Sequence, residues 1–410
     1  TSSDQFGHAH TGSENLGYIA GKAVIGRVAL NRNAAKLPNL TNNVKYAAVL
    51  ASGAYGDQTT ATGPTVYIYD ALGIDVGTRA TDVNNNRPAG QLIQAITYKF
   101  TKAQKAKFPH INSLSEPTML DLDGDGVMDV GYVGDLNGNL YRIDLRHSHP
   151  SNWTLELIFE GDPSRPILTA PSVSRFFQRS IILFGTDSLT RGEFTNVNKT
   201  QQFLYGIMEN KNFTEFKGRP LHHSDRGLLE QTIERKGDTA TISNNKVPWT
   251  GFIGWKLPLG NGHDAGEALV QKPIIVNGTI FLQTYIYREN QNPSNNSLMC
   301  FRSLDASDTW LYQINALTGG ALDENSTYIK QLGRNVSARR TGGVIDKPVK
   351  LITFNESASI SKDGEMLSGK AVDKELNSKL SANDNFDLPD EHYIDDKGCE
   401  AILSNGMELV

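Results

Sequence analysis

The stretch DLDGDGVMD places Asp121, Asp123, Asp125 and Asp129 at odd-numbered positions around Gly124 and Gly126. Carboxylates crowded this closely repel one another, and a hard cation shared among their oxygens removes that repulsion. Calcium takes about six to eight oxygen ligands, and Asp121, Asp123 and Asp125 fall at the first, third and fifth positions of an EF-type loop, with Gly126 at the sharp turn. Val127 would then offer its backbone carbonyl at the seventh position and Asp129 its carboxylate at the ninth. The twelfth position, which an EF-hand fills with a bidentate Glu, is Tyr132, and the flanks EPTML and DVGYVGD read as strands rather than helices. The expectation is therefore a calcium loop on a β-hairpin, with affinity in the range of roughly 10⁻⁶ to 10⁻³ M for want of that Glu. Asp and Gly also build ordinary acidic turns, but a chance match to this pattern at a given position is on the order of one in a million at average residue frequencies.

The elements that must hold this loop are strands. Short apolar runs bounded by Gly, Asn, Asp and Pro recur along the chain, among them KYAAVLASG, PTVYIYDALG, LIQAITYKF, NLYRIDL, SIILFGTD, FLYGIM and PIIVNGTIFLQTYIY. Four segments share one pattern of an apolar residue, Tyr, a spacer and, in most copies, a downstream Asp or Asn: TVYIYDALG at Tyr67, NLYRIDLRH at Tyr141, FLYGIMENK at Tyr205 and WLYQINALTGG at Tyr312. Each fits a strand that buries its aromatic residue and closes in an Asx or Gly turn. The intervals, about 64 to 107 residues, exceed those of compact propeller blades, so either blades are skipped between copies or long loops are inserted. The pattern predicts an all-β fold, a β-propeller over residues 1–354, with a sandwich of unrelated hairpins as the competing reading. Asn137-Gly138, just after the acidic loop, carries the signal of a type I′ hairpin. From 355 to 410 the texture turns Ser/Lys/Asp-rich, and a polar extension is expected there.

Composition narrows the function. The 410 residues carry a formal net charge of -5 and no basic stripe, which argues against a nucleic-acid or anionic-membrane binder. No run of about 20 apolar residues is present to cross a bilayer as a helix. The opening TSSDQFGHAH lacks an initiator Met, a charged n-region and an apolar h-region, as expected of the interior of a longer chain. Cys300 and Cys399 are the two cysteines, with no zinc-type spacing; they form either one disulfide or two unpaired thiols. His8 and His10 in FGHAH have no third ligand at diagnostic spacing, His263 lies in a Gly-rich loop without an HExxH motif, and Arg191-Gly192-Glu193 reads as a charged turn. Asn39 to Thr41 and Asn277 to Thr279 match a glycosylation triplet that an Asn-rich chain also produces by chance. Nothing resembles a nucleophile elbow or a phosphate loop.

The order FGHAH, KYAAVLASGAYGD, PTVYIYDALG, EPTMLDLDGDGVMDVGYVGDLNGNLYRIDL, PSRPILTAPSV, IILFGTD and GWKLPLG, closed by QKPIIVNGTIFLQTY and WLYQINALTGG, resembles the C-terminal domain of the PilC/PilY proteins of type IV pili. The resemblance runs from Phe6 to Gly320; the segment after Ala321 departs from the family's usual ending. It implies a modified β-propeller without catalysis, reaching the bacterial surface, outer membrane or pilus tip through the periplasm. Its partners would be pilins or minor pilins and, for adhesion, a host-cell receptor. It also implies that calcium held by Asp121, Asp123, Asp125, the Val127 carbonyl and Asp129 sets the balance between pilus extension and retraction. Two other classes compete, a periplasmic quinoprotein-type propeller dehydrogenase and an unrelated surface binding scaffold. The dehydrogenase reading asks for a vicinal Cys pair and Trp-bearing repeats, whereas this chain has two distant Cys and four Trp.

Cys300 and Cys399 are predicted to be bridged. Alkylation of the unfolded, unreduced protein should label neither, and labelling of both would refute the bridge.

Overall fold

The computed structural model describes residues 16, 21–31, 44–53, 62–75, 89–176, 179–187, 200–210, 220–248, 253–260, 266–269, 271–287, 307–323, 329–331, 334–341, 351–353, 399–401 and 407–409. Strands β1 (Val24–Ala29), β2 (Val44–Ala51), β3 (Thr65–Asp75) and β4 (Leu92–Thr97) form a first antiparallel sheet in chain order. A short helix α1 (Lys102–Lys107) follows, started by a capping box between Thr101 and Gln104. Strands β5 (Thr118–Leu120), β6 (Val130–Gly134), β7 (Leu140–Asp144) and β8 (Thr154–Glu160) repeat the arrangement as a second sheet, and β9 (Ser172–Phe176), β10 (Arg179–Gly185) and β11 (Gln202–Asn210) begin a third.

The chain then departs from the regular order. Before β16 (Gly254–Leu259) completes the third sheet, an insertion supplies edge strands to three sheets. In it, β12 (Leu221–His222) runs parallel to β8, β13 (Leu228–Glu230) runs parallel to β16, and the hairpin β14 (Ile233–Lys236)–β15 (Thr239–Ile242) joins the fourth. That fourth sheet gathers β17 (Ala268–Leu269), β18 (Ile274–Val276), β19 (Thr279–Tyr287) and β20 (Ser307–Asn315). After β21 (Ile329–Gln331) and β22 (Arg334–Asn335), β23 (Ala338–Arg340) pairs with both β20 and β15. The insertion accounts for the long interval between Tyr205 and Tyr312.

The four repeated segments occupy equivalent places, Tyr67 on β3, Tyr141 on β7, Tyr205 on β11 and Tyr312 on β20, each the third strand of its sheet's antiparallel meander. Their polar endings make the expected turns: Asp70 Oδ1 accepts from the Leu72 and Gly73 N–H groups, Asp144 Oδ1 from Arg146, and Asn315 Oδ1 from Leu317 and Thr318. Successive sheets pack face to face. Val66 and Ile68 meet Tyr141 and Ile143 across the first seam; Tyr132 and Leu140 meet Phe184 and Tyr205 across the second; Leu183 and Trp255 meet Leu282 and Tyr312 across the third. This is the β-propeller expected from the repeats, modified by inserted elements in place of uniform blades.

One expectation changes. Asn137-Gly138 does not form a type I′ turn, because among described non-glycine residues only Asn277 has positive φ. Instead Gly138 N–H bonds the Asp135 carbonyl, Gly138 takes φ 78°, and the buried Asp135 carboxylate receives the Asn137 and Asn139 N–H groups. A carboxylate that accepts two backbone donors holds a longer turn than the dipeptide alone would choose. The positive-φ Asn-Gly turn lies at Asn277-Gly278, joining β18 to β19. In the polar extension, residues 354–398 lie outside the described residues, but β24 (Leu351–Thr353) pairs with β26 (Met407–Leu409), and β25 (Cys399–Ala401) pairs with β21. The far end of the extension thus returns as strands. Cys399 lies on β25 opposite Gln331, and Cys300 lies outside the described residues.

A buried ion pair crosses the second seam. Glu209 on β11, fully buried, accepts from Arg142 Nη1 at 2.5 Å and from Tyr132 Oη at 2.6 Å. Replacing Glu209 with Ala leaves the Arg142 guanidinium buried without this carboxylate, and the expected loss is about 3–5 kcal/mol in urea unfolding. A loss below about 1 kcal/mol would show that the seam does not depend on the pair.

Candidate metal centre

Residues 121–129 form the loop of the β5–β6 hairpin, in which Thr118 faces Tyr132 and Leu120 faces Val130. The sequence closes the loop on itself through its own carboxylates. Asp121 accepts from the Gly124 and Gly126 N–H groups, each at 2.7 Å, through different oxygens. Asp123 accepts from Asp125 N–H at 3.2 Å, and Asp125 from Val127 N–H at 2.8 Å. Asp129, 1% exposed, reaches back to accept from Leu122 N–H at 2.6 Å. Gly124 and Gly126 both take φ +82°, a left-handed conformation that glycine adopts without the Cβ penalty.

These turns bring together Asp121, Asp123 and Asp129, whose ligand oxygens lie within 4.8 Å of one another. An all-oxygen set of three carboxylates on a glycine-hinged loop suits a hard divalent cation. Asp125 lies in the same loop, with its Oδ1 on the Val127 N–H, and is not part of the converging trio. Val127 turns its side chain inward against Ala29 and Val44. Tyr132, where an EF-hand would supply its last ligand, points instead to Glu209; burial and the neighbouring carboxylate push its phenol well above the usual range, so it stays a hydrogen-bond donor.

The loop is bound to the sheets on either side. Met128 N–H donates to the Arg27 carbonyl of β1 at 2.8 Å, and Val127 fills a small cluster of the first sheet. Leu122 packs against the core between the second and third sheets, and its carbonyl accepts from Arg175 Nη1 of β9 at 2.5 Å. These contacts join residues about a hundred or about fifty positions apart, beyond the β-hairpin on which the sequence placed the loop. His8, His10, Asn39, Arg191, Glu193, His263 and Cys300 lie outside the described residues.

Residues 9–246 match the family described as the PilY1 beta-propeller domain. The chain belongs to that family. It is 28% identical over 269 residues to the type IV pilus biogenesis factor PilY1 of Pseudomonas aeruginosa strain PAO1, a match covering 55% of this chain and 22% of the relative. It is 25% identical over 274 residues to a PilY1 homolog of Xylella fastidiosa, covering 60% of this chain and 17% of that protein. The chain thus spans about a fifth of the length of these curated relatives. The crystal structure of the P. aeruginosa PilY1 C-terminal domain superposes with a TM-score of 0.55 at 22% identity, covering 84% of this chain and 70% of that one, a likeness of fold.

Gly124→Ala and Gly126→Ala should each cost about 1–2 kcal/mol from left-handed strain, measured by thermal unfolding without divalent ions. Gly126→Ala should cost more, because a Cβ there comes 3.3 Å from Arg27 Nη1 whereas one at Gly124 meets nothing within 4 Å. Equal melting temperatures for both variants and the parent would refute the loop geometry.

Proposed function

We propose that this chain is the calcium-binding, non-catalytic propeller domain of a type IV pilus assembly and adhesion protein, and that the ion biases pilus extension against retraction. The observation that carries the calcium reading is the convergence of Asp121, Asp123 and Asp129 in a loop whose spacing also offers Asp125 and the Val127 carbonyl. The pilus reading is supported by the family and by relatives named as type IV pilus biogenesis factors. It carries with it a location at the bacterial surface or pilus tip, contact with pilins or minor pilins, and a host-cell receptor as the adhesive partner.

Calcium at the site would supply positive charge against which the carboxylates stop repelling. What the chain does is hold those carboxylates in turns whose exit is bonded to β1 and whose start is bonded to β9. At about 100 times its dissociation constant an ion stabilises the state it binds by roughly 2.7 kcal/mol, enough to bias a local element while four sheets keep their own cores.

Calorimetry should detect one calcium per chain, with poor competition from magnesium, and Asp121→Ala or Asp129→Ala should weaken binding at least tenfold. Calcium removal should leave the domain folded while amide exchange rises over residues 119–135 and in β1. In cells, Asp129→Ala should be exported at normal level with altered piliation or twitching. Unchanged affinity in both variants would refute the site, and unchanged piliation and twitching at normal protein level would leave the ion a structural part only.

A further inference from the structure

Two arginines from different sheets converge on the acidic loop. Arg27 of β1 lies over its turn, with Nη1 3.3 Å and Cζ 3.7 Å from the position of a Cβ on Gly126. Its guanidinium also faces the Tyr46 ring, Cζ 6.0 Å from the centroid. Arg175 of β9 approaches the start of the loop, donating to the Leu122 carbonyl. Arginine keeps its charge at any pH a folded protein meets, so both are fixed positive charges beside the loop that carries Asp121, Asp123, Asp125 and Asp129.

We infer that Arg27 and Arg175 are built-in counter-cations that set the calcium affinity of this loop; the inference rests on the calcium reading above. Without an ion, they offset part of the repulsion among four carboxylates, so the loop keeps its turns. With an ion, the same charges oppose its double charge, and the site is weaker than its carboxylate number alone would make it. Arg27 is half-buried and Arg175 exposed, so solvent screens Arg27 less and its effect is the larger. Arg175 directs its hydrogen bond to the Leu122 backbone carbonyl.

The test is calcium calorimetry on the parent chain, Arg27→Gln, Arg27→Lys and Arg175→Gln, at low and at about 1 M salt. Removing the Arg27 charge should tighten calcium binding on the order of 5-fold, removing that of Arg175 roughly 2-fold, and both gains should shrink at high salt. Arg27→Lys, which keeps the charge and loses the planar group, should bind within about 2-fold of the parent. In chelator, both Gln variants should melt below the parent, because the ion-free loop has lost a counter-charge. Equal or weaker binding in the Gln variants would overturn the inference, since arginines that merely shape the loop would weaken calcium when removed. Because Arg175 is exposed, its Gln variant decides between these outcomes even if the Arg27 variants fold poorly. A parent chain that binds no calcium would overturn the proposed function itself, and this inference with it.

Discussion

Strand β6 is buried at every residue from Val130 to Gly134, and that is the constraint on which the rest of the structure turns. A strand with no solvent face must be covered on both sides, so the second sheet needs the first against one face and the third against the other. Val133 meets the first-sheet core, while Val130 and Tyr132 meet the third. The alternation repeats one sheet on, where Ile182 and Phe184 face backward and Ile181 and Leu183 face forward. Charges enclosed by this stacking must be answered locally, because burying an ion unpaired costs far more than the fold can spare. The same answer recurs at the second seam and within the fourth sheet, a buried glutamate held by an arginine and a tyrosine hydroxyl: Glu209 with Arg142 and Tyr132, and Glu267 with Arg235 and Tyr312. In each case burial and the adjacent carboxylate raise the phenol, which keeps the proton on the tyrosine.

How far the sequence revealed this depended on whether the cause was local. The long apolar strands and the third-strand tyrosines were legible because each buries a face over many residues and ends in a turn made by its own Asp or Asn, as Asp70, Asp144 and Asn315 do. The strands β12 and β13 were not, since two or three residues carry no periodicity and their pairing is decided by the sheet edges they reach. Asn137-Gly138 misled for a related reason. The dipeptide prefers one turn, but Asp135, two residues earlier, gathers the backbone donors into another.

The same division runs through the candidate site. Its carboxylates were readable because a loop that wraps a cation must supply most of its oxygens within a few residues, at intervals set by the turn. Arg27 and Arg175 left no such trace. An arginine in VIGRVA or SVSRF reads as the solvent side of an alternating strand, and only the packing of three sheets brings both to one loop.

That packing bears on what occupancy of the loop can accomplish. A turn that protruded freely into solvent could gain or lose an ion without consequence elsewhere. Here Val127 and Leu122 are seated in different cores, one against the first sheet and one between the second and third, only five positions apart in sequence. The Met128 N–H, bonded to β1, and Asp129, whose own N–H is bonded to Leu120, follow directly. Any change in the spacing of Asp121, Asp123 and Asp129 must therefore move one of these anchors or strain the backbone between them. Tyr132 lies three residues beyond Asp129 on the same strand and is tied to Glu209, so the strain has a rigid path into the third sheet. A cation held by those carboxylates, as proposed above, would act on a loop bonded to or packed against three sheets.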